Sequence, residues 1–170
     1  MDKAIITILL TIAGIVAASM AISAINPTIQ HTNSSLVMAA DKMNNRIQSQ
    51  IEIIHATGEL NSAGVWQDSD SDGRFDVFVW VKNVGTARIL DEKESDLFFG
   101  TVGNISRIPN INYATSTYPH WSNTYETGSE WGQTNTIKIS IEYTSTQSQG
   151  TYYIKFSIPN SVIDEYTFSM

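Results

Sequence analysis

The chain opens with a long apolar stretch. Its 22 residues, AIITILLTIAGIVAASMAISAI over positions 4–25, include no charged side chain. At about 1.5 Å per residue, a helix of this length reaches about 30 Å, the thickness of a bilayer's hydrocarbon core. The pattern therefore predicts a membrane-spanning helix. A cleavable signal peptide, cut within residues 21–24, is the alternative, but its apolar region is normally shorter and its start more basic.

A second helical pattern follows Pro27. Apolar residues recur at steps of three or four between polar and charged residues, which is typical of an amphipathic helix; they are Leu36, Ala40, Met43, Ile47, Ile51 and Ile54. Pro27 lacks an N–H and crowds the preceding turn, so it predicts a bend between the two helical segments. We expect the second segment to end near Gly58.

From Val65 onward the apolar positions alternate with period two. Residues 75–82 are apolar on both faces, which predicts a central strand, whereas residues 137–143 have one polar face. Residues 152–158 alternate in the same way, and 87–90, 96–99 and 163–168 are shorter candidates. Residues 104–133 show weak periodicity, and we expect an irregular surface excursion there.

These patterns together predict an α+β fold. Residues 1–58 would form a long N-terminal helix, hydrophobic and then amphipathic. Residues 59–170 would form an antiparallel, Ig-like β-sandwich, because strands separated by Gly, Asn, Ser and Pro and lacking further helical periodicity favour that architecture.

The apolar helix carries small residues spaced by four. They are Gly14 with Ala18, Ala17 with Ala21, and Ser19 with Ser23. Small side chains at this spacing let helix backbones approach closely, so these six residues are candidates for packing against copies or partner helices. A lone membrane anchor that happens to contain small residues is the alternative.

Composition narrows the function. The chain has 170 residues, no Cys, 10 Lys+Arg and 17 Asp+Glu, for a net charge of −7. The missing Cys excludes a disulfide scaffold and a thiol nucleophile, and the negative charge disfavours nucleic acid as a partner. His31, His55 and His120 lie far apart, and no phosphate loop or catalytic triad pattern is present, so we expect no enzyme.

The sharpest local motif is Asp68-Ser69-Asp70-Ser71-Asp72-Gly73. Carboxylates at the first, third and fifth positions of a tight loop resemble the start of a calcium loop, and Asp76 falls at the ninth position. The twelfth position is Val79 instead of the bidentate Glu of an EF-hand. The motif therefore predicts a partial Ca²⁺ site at Asp68, Asp70, Asp72 and Asp76, with an ion-free acidic turn as the alternative.

Two further signals concern the surface. Asn33 and Asn104 begin Asn-x-Ser sequons and are candidate glycosylation sites if the chain is exported. The aromatic residues of the weakly periodic stretch are either subunit-contact anchors or core-filling residues; they are Tyr118, Trp121, Tyr125 and Trp131.

The apolar helix, the proline bend, the amphipathic continuation and the sandwich together resemble the archaellin group. This group comprises the type IV pilin-like subunits of archaeal flagella and their relatives, the archaeal flagellar proteins F and G. The likeness is specific in residues 4–25 and in the stretch from Phe75 to Gly85, a strand that follows an Asp/Gly loop and ends in Val81-Lys82-Asn83-Val84-Gly85. The acidic residue that pilins place early in the helix is missing, and a leader cut after Lys3 would be only three residues long.

The resemblance implies a structural subunit of an archaellum-like surface filament. It would polymerise through residues 4–54 for motility, with the helix inserted in the membrane before assembly and the sandwich extracellular. The alternative is a membrane-anchored stator or adaptor of the protein F/G type, whose sandwich binds the surface-layer protein.

Overall fold

The computed structural model describes residues 2–114 and 117–170, with the side chains of 24–30 left out. A single α-helix, α1, spans Asp2–Gln48. The chain divides into two compact units, Met1–Met43 and Asn44–Met170. The bend predicted at Pro27 lies outside the described side chains and stays a prediction.

Two four-stranded antiparallel sheets follow α1 in the described residues. The first has the order β1-β2-β6-β5 and the second β4-β3-β7-β8. The strands are β1 Ile51–Gly58, β2 Phe75–Asn83, β3 Asp96–Thr101, β4 Asn104–Ile108, β5 His120–Tyr125, β6 Thr136–Tyr143, β7 Thr151–Ser157 and β8 Ile163–Ser169. The predicted α+β fold, an N-terminal helix followed by an antiparallel sandwich, is confirmed.

Alternate residues of the inner strands build the core between the two sheets. The side chains of Phe75, Val77, Val79 and Val81 on β2 are fully buried, and β2 pairs with both β1 and β6 as predicted for a central strand. The outward-facing Trp80 is half-buried and contacts the ring of His55, with 5.4 Å between ring centroids. The alternate apolar residues of β2 therefore mark the face of the first sheet that is buried against the second sheet.

The predicted helical continuation to Gly58 is wrong. α1 ends at Gln48, and Ile51 to Gly58 form strand β1. Ile51 and Ile53 are buried against the core, while Ile54, which the helical spacing assigned to the apolar face, is 46% exposed beside a register shift in β1. Pairing with β2 buries Ile51 and Ile53, whereas a helical continuation has no partner surface of its own, so the boundary between helix and sandwich lies before residue 58.

The irregular excursion predicted over 104–133 is also wrong in part. It contains β4, which pairs with β3, and β5, which pairs with β6. Both are edge strands; the residues of β4 are exposed except Ile108, so neither needs a strict apolar alternation. The short run 87–90 lies outside the strands, whereas 96–99 and 163–168 lie in β3 and β8.

The end of α1 is fastened to the sandwich by the loop after β2. The carbonyl of Gln48 accepts hydrogen bonds from Thr86 N at 2.8 Å and Ala87 N at 3.0 Å, and that of Gln50 accepts from Val84 N at 2.9 Å and Gly85 N at 3.0 Å. The last carbonyls of a helix have no hydrogen-bond donor within the helix. The loop after β2 supplies donors to the carbonyls of Gln48 and Gln50.

Asn83 holds the shape of that loop. Its side chain is fully buried; its amide nitrogen donates to Ala87 O at 2.8 Å and Trp131 O at 3.0 Å, and its oxygen accepts from Gly85 N at 3.0 Å. A Cβ at Gly85 would overlap the carbonyl oxygen of Gln48. The motif Val81-Lys82-Asn83-Val84-Gly85 therefore shapes the loop that is hydrogen-bonded to the chain between α1 and β1.

Gly85→Ala is expected to weaken this connection. The added methyl group must push the loop away from Gln48, and overpacking of this kind costs about 1–3 kcal/mol. Thermal unfolding of the full chain in detergent micelles should show a midpoint lower by roughly 5–10 °C. Gly150→Ala is the matched control, because nothing lies within 4 Å of a Cβ at Gly150; equal midpoints for the two variants would contradict the prediction.

Candidate functional site

The acidic motif folds into a turn beside the end of β1. Ligand oxygens of Glu59, Asp68 and Asp70 lie within 4.8 Å of one another. This group contains two of the four predicted calcium ligands and adds Glu59, which sequence spacing did not indicate. Asp72 and Asp76 are not members of it. Binding of Ca²⁺ to this turn stays a prediction.

The aspartates of the turn accept hydrogen bonds from its backbone. Asp68 Oδ1 accepts from Ser71 N at 2.6 Å and Asp68 Oδ2 from Gly73 N at 2.9 Å. Asp70 Oδ1 accepts from Asp72 N at 3.1 Å, and Asp72 Oδ1 from Arg74 N at 2.8 Å. Carboxylates at these spacings therefore shape the turn themselves, as short polar side chains do in Asx-turns.

Glu59 anchors the turn from inside. Its side chain is buried, with 7% exposed, and Oε1 accepts from Ser69 N and Ser69 Oγ, both at 2.7 Å, and from Asp70 N at 3.2 Å. Burial by itself would raise the pKa of Glu59, but these hydrogen bonds outweigh it and hold the pKa below its ordinary value. The sequence signal that could have indicated Glu59 is its position as an acidic residue directly after an apolar strand.

Asp76 has the opposite electrostatic environment. Its Oδ1 is buried without a hydrogen-bond partner. Burial, followed by the negative charges of Glu142 and Glu59, raises the pKa of Asp76 to about 6. Asp76 therefore has a buried carboxyl oxygen without a partner on the outer face of β2 and is not part of the three-carboxylate group.

A second polar cluster lies next to Asp76. Glu142, its neighbour across the strand pair, forms an ion pair with Arg74 at 2.7 Å and lies 3.6 Å from Nε2 of His120. The guanidinium of Arg74 lies 5.2 Å from the ring centroid of Tyr118. With Ile111, Asn112 and Ala114, these side chains line an open depression of about 520 Å³.

The other predicted residues are distributed as follows. Trp121 and Trp131 are fully buried and fill the core, whereas Tyr125 is 41% exposed. Asn33 lies exposed on α1 and Asn104 exposed at the start of β4; glycosylation of both stays a prediction.

The helix-packing candidates lie in the apolar part of α1. All six are exposed, and Ser19 Oγ donates to Ile15 O at 2.8 Å; they are Gly14, Ala17, Ala18, Ser19, Ala21 and Ser23. Residues Asp2–Ser23 are long and apolar enough to cross a membrane, with a mean hydropathy of 2.5 and none of that window buried. Their packing role stays a prediction, and the span agrees with membrane anchoring.

Comparison with solved structures shows which known proteins share this fold. The chain is 24% identical to the archaellum periplasmic stator protein FlaG from Sulfolobus acidocaldarius, with a TM-score of 0.54 over 71% of this chain and 99% of that one. It is equally similar in sequence to a chain of the FlaF–FlaG stator complex from the same organism, with a TM-score of 0.52 over 71% of this chain and 89% of that one. The protein thus has a FlaG-like α+β fold.

Sequence comparison reaches further along the chain but says less about function. An uncharacterised protein of Archaeoglobus fulgidus is 26% identical over 176 aligned positions, which cover 94% of this chain and 93% of the relative. No protein-family profile matches the chain. The structural likeness supports the resemblance to flagellar proteins F and G and does not support the archaellin part of it.

Calcium is expected to stabilise the protein if the three-carboxylate group binds it. At a concentration about 100-fold above Kd, binding adds about 2.7 kcal/mol to the free energy of unfolding. Thermal unfolding should therefore shift upward with Ca²⁺ and back with a chelator, and Asp70→Asn should abolish the shift. Asp72→Asn, the same change at a residue outside the group, should retain it; an unmodified protein indifferent to Ca²⁺ would refute the site.

Asp76 is expected to make the ion-free protein less stable as the pH rises. Its pKa of about 6 in the folded state exceeds the ordinary value of 3.8, so the folded state holds the proton more tightly and stability falls between about pH 4 and 6. Asp76→Asn should raise the free energy of unfolding at pH 7 by about 1 kcal/mol, after allowance for solvent screening. Chemical unfolding with chelator present, at pH 5 and 7, measures both effects.

The lowered pKa of Glu59 acts at lower pH. It adds stability that is present above its ordinary pKa and is lost as the pH falls through the lower pKa of the folded state.

Asp96→Asn serves as the control for Asp76→Asn, because Asp96 is an exposed carboxylate in an ion pair with Arg107. An Asp76→Asn protein that keeps the full pH dependence between 5 and 7 would contradict the assignment.

Proposed function

We propose that this protein is a membrane-anchored stator or adaptor component of an archaellum-type motility machine. The first 22 described residues of α1 would lie in the membrane, and the sandwich would stand outside it and hold a fixed part of the cell envelope. The likeness of the fold to the periplasmic stator protein FlaG supports this role. The observation that carries it is the hydrogen-bonded junction between the last turn of α1 and the sandwich.

A stator must resist load, and the junction suits that requirement. The chain passes from Gln48 into β1 with two residues between the elements, and the loop after β2 bonds to the carbonyls on both sides of that passage. A flexible linker would absorb displacement by changing its backbone angles. Here a displacement of the last helical turn must break several backbone hydrogen bonds inside the sandwich unit.

The partners we propose are other archaellum components and the surface-layer protein. One of the similar structures is a complex of FlaF with FlaG, so a protein of this fold can assemble with a second stator protein. The acidic balance of 17 Asp+Glu against 10 Lys+Arg favours a protein partner over nucleic acid. We propose a structural role without catalysis, as the similar solved structures are those of stator proteins.

The filament-subunit interpretation receives less support. It predicts likeness to archaellins or pilins, whereas the likeness of the sandwich is to stator proteins. The apolar helix is compatible with either role, because a filament core and a membrane both cover apolar surface. The two interpretations differ in where the protein is found.

Deletion of the gene in its host tests the proposal. We expect surface filaments to assemble, the cells to lose swimming, and the protein to fractionate with membranes and be missing from sheared filaments. A sheared filament with this protein as its main band would overturn the stator role. Gly85→Ala should reduce swimming at unchanged membrane abundance, and Gly150→Ala should not.

A further inference from the structure

The second half of α1 leaves an apolar face uncovered beyond the membrane. The uncharged apolar stretch ends at residue 25, and the described residues 31–47 after it are all exposed. Leu36, Met43 and Ile47 are 63%, 66% and 59% exposed. At about 1.5 Å per residue, position 36 lies about 16 Å along the helix from residue 25, so lipid tails do not reach it. Water or another protein surface must cover this face.

Two positions of a seven-residue repeat along α1 are occupied mostly by apolar residues. Counting Ile5 as position a, the described a positions are Ile5, Ile12, Ser19, Asn33, Ala40 and Ile47, and the described d positions are Ile8, Ile15, Ile22, Leu36 and Met43. Nine of these eleven residues are apolar, with Ser19 and Asn33 as the exceptions, and apolar residues at a and d are typical of a coiled-coil seam, in which they contact the partner helix. All of these residues are exposed.

Charge and polarity favour a second copy of the same chain as the partner. Asp41 and Lys42 occupy b and c positions on the opposite side of the helix, and Arg46 is the only charged residue at the e and g positions between 31 and 47. An identical helix can therefore approach without like charges at the seam. Asn33 at a would meet Asn33 of the second copy, and polar Asn pairs at a positions specify parallel two-stranded coiled coils.

We infer that this protein forms a parallel homodimer through the a and d residues of α1. The membrane span gives both copies the same direction and the same height, which aligns the two seams in register. Each interface is then two-fold and closed, unlike that of a filament. The inference concerns the helix alone and does not depend on the stator role.

The seam and a glycan at Asn33 exclude each other. A sugar on an a-position side chain cannot fit between two helices whose axes are about 10 Å apart. The homodimer therefore requires that Asn33 is unmodified, although it begins a sequon. A glycan found on Asn33 by mass spectrometry of the protein from its host would overturn the inference.

Disulfide cross-linking in host membranes tests the dimer directly, because the natural chain has no Cys. Met43 and Met38 form a matched pair: both are methionines, they are 66% and 73% exposed, and they occupy a d and an f position. Mild oxidation should cross-link Met43→Cys and Leu36→Cys into a species of twice the chain mass. Met38→Cys should stay monomeric.

The other outcomes count against the inference. Equal cross-linking of Met38→Cys and Met43→Cys would mean random collision in the membrane, and a product of any other mass would mean that a different protein occupies the seam. A charge at the seam gives an independent check. Met43→Asp should abolish cross-linking of Leu36→Cys, while Met38→Asp, the same change on the opposite side, should leave it intact.

Discussion

The hydrogen bonds between the loop after β2 and the carbonyls of Gln48 and Gln50 carry the connection between helix and sandwich. They depend on two residues of one motif. Asn83 bridges the loop to the core with its buried amide, and Gly85 allows the backbones to approach. The motif thus has a local structural role, because buried N–H and C=O groups at a helix end need partners.

This connection separates two kinds of apolar surface. The sandwich buries its own between two sheets, with Val79, Ile139 and Ile154 fully enclosed, so it needs nothing from α1 beyond the last turn. The described part of α1 up to Ile47 buries none. An uncovered apolar helix on a self-sufficient domain is suited to a membrane and to helix pairing, because burial of apolar surface drives both.

The acidic turn shows how far local spacing reaches. The motif at Asp68, Asp70 and Asp72 predicted converging carboxylates, and two of the three do converge. The third member of the group is Glu59, brought in by the end of β1, while Asp76 lies opposite Glu142 on the neighbouring strand. Spacing within one loop can indicate a turn, but residues from other strands join it only through folding.

From the sequence alone, the apolar span, the central strand β2 and the strands β6 and β7 could be predicted, because period and charge report directly which face of an element is buried. The tertiary structure decided the rest. Ile51 and Ile54 fit a helix by spacing, yet β2 offered their segment a strand partner and burial for Ile51 and Ile53. Contacts between residues distant in sequence also decide three other features, which no local pattern encodes. These are the edge strands β4 and β5, the inclusion of Glu59 in the acidic turn, and the hydrogen bonds to the carbonyl of Gln48.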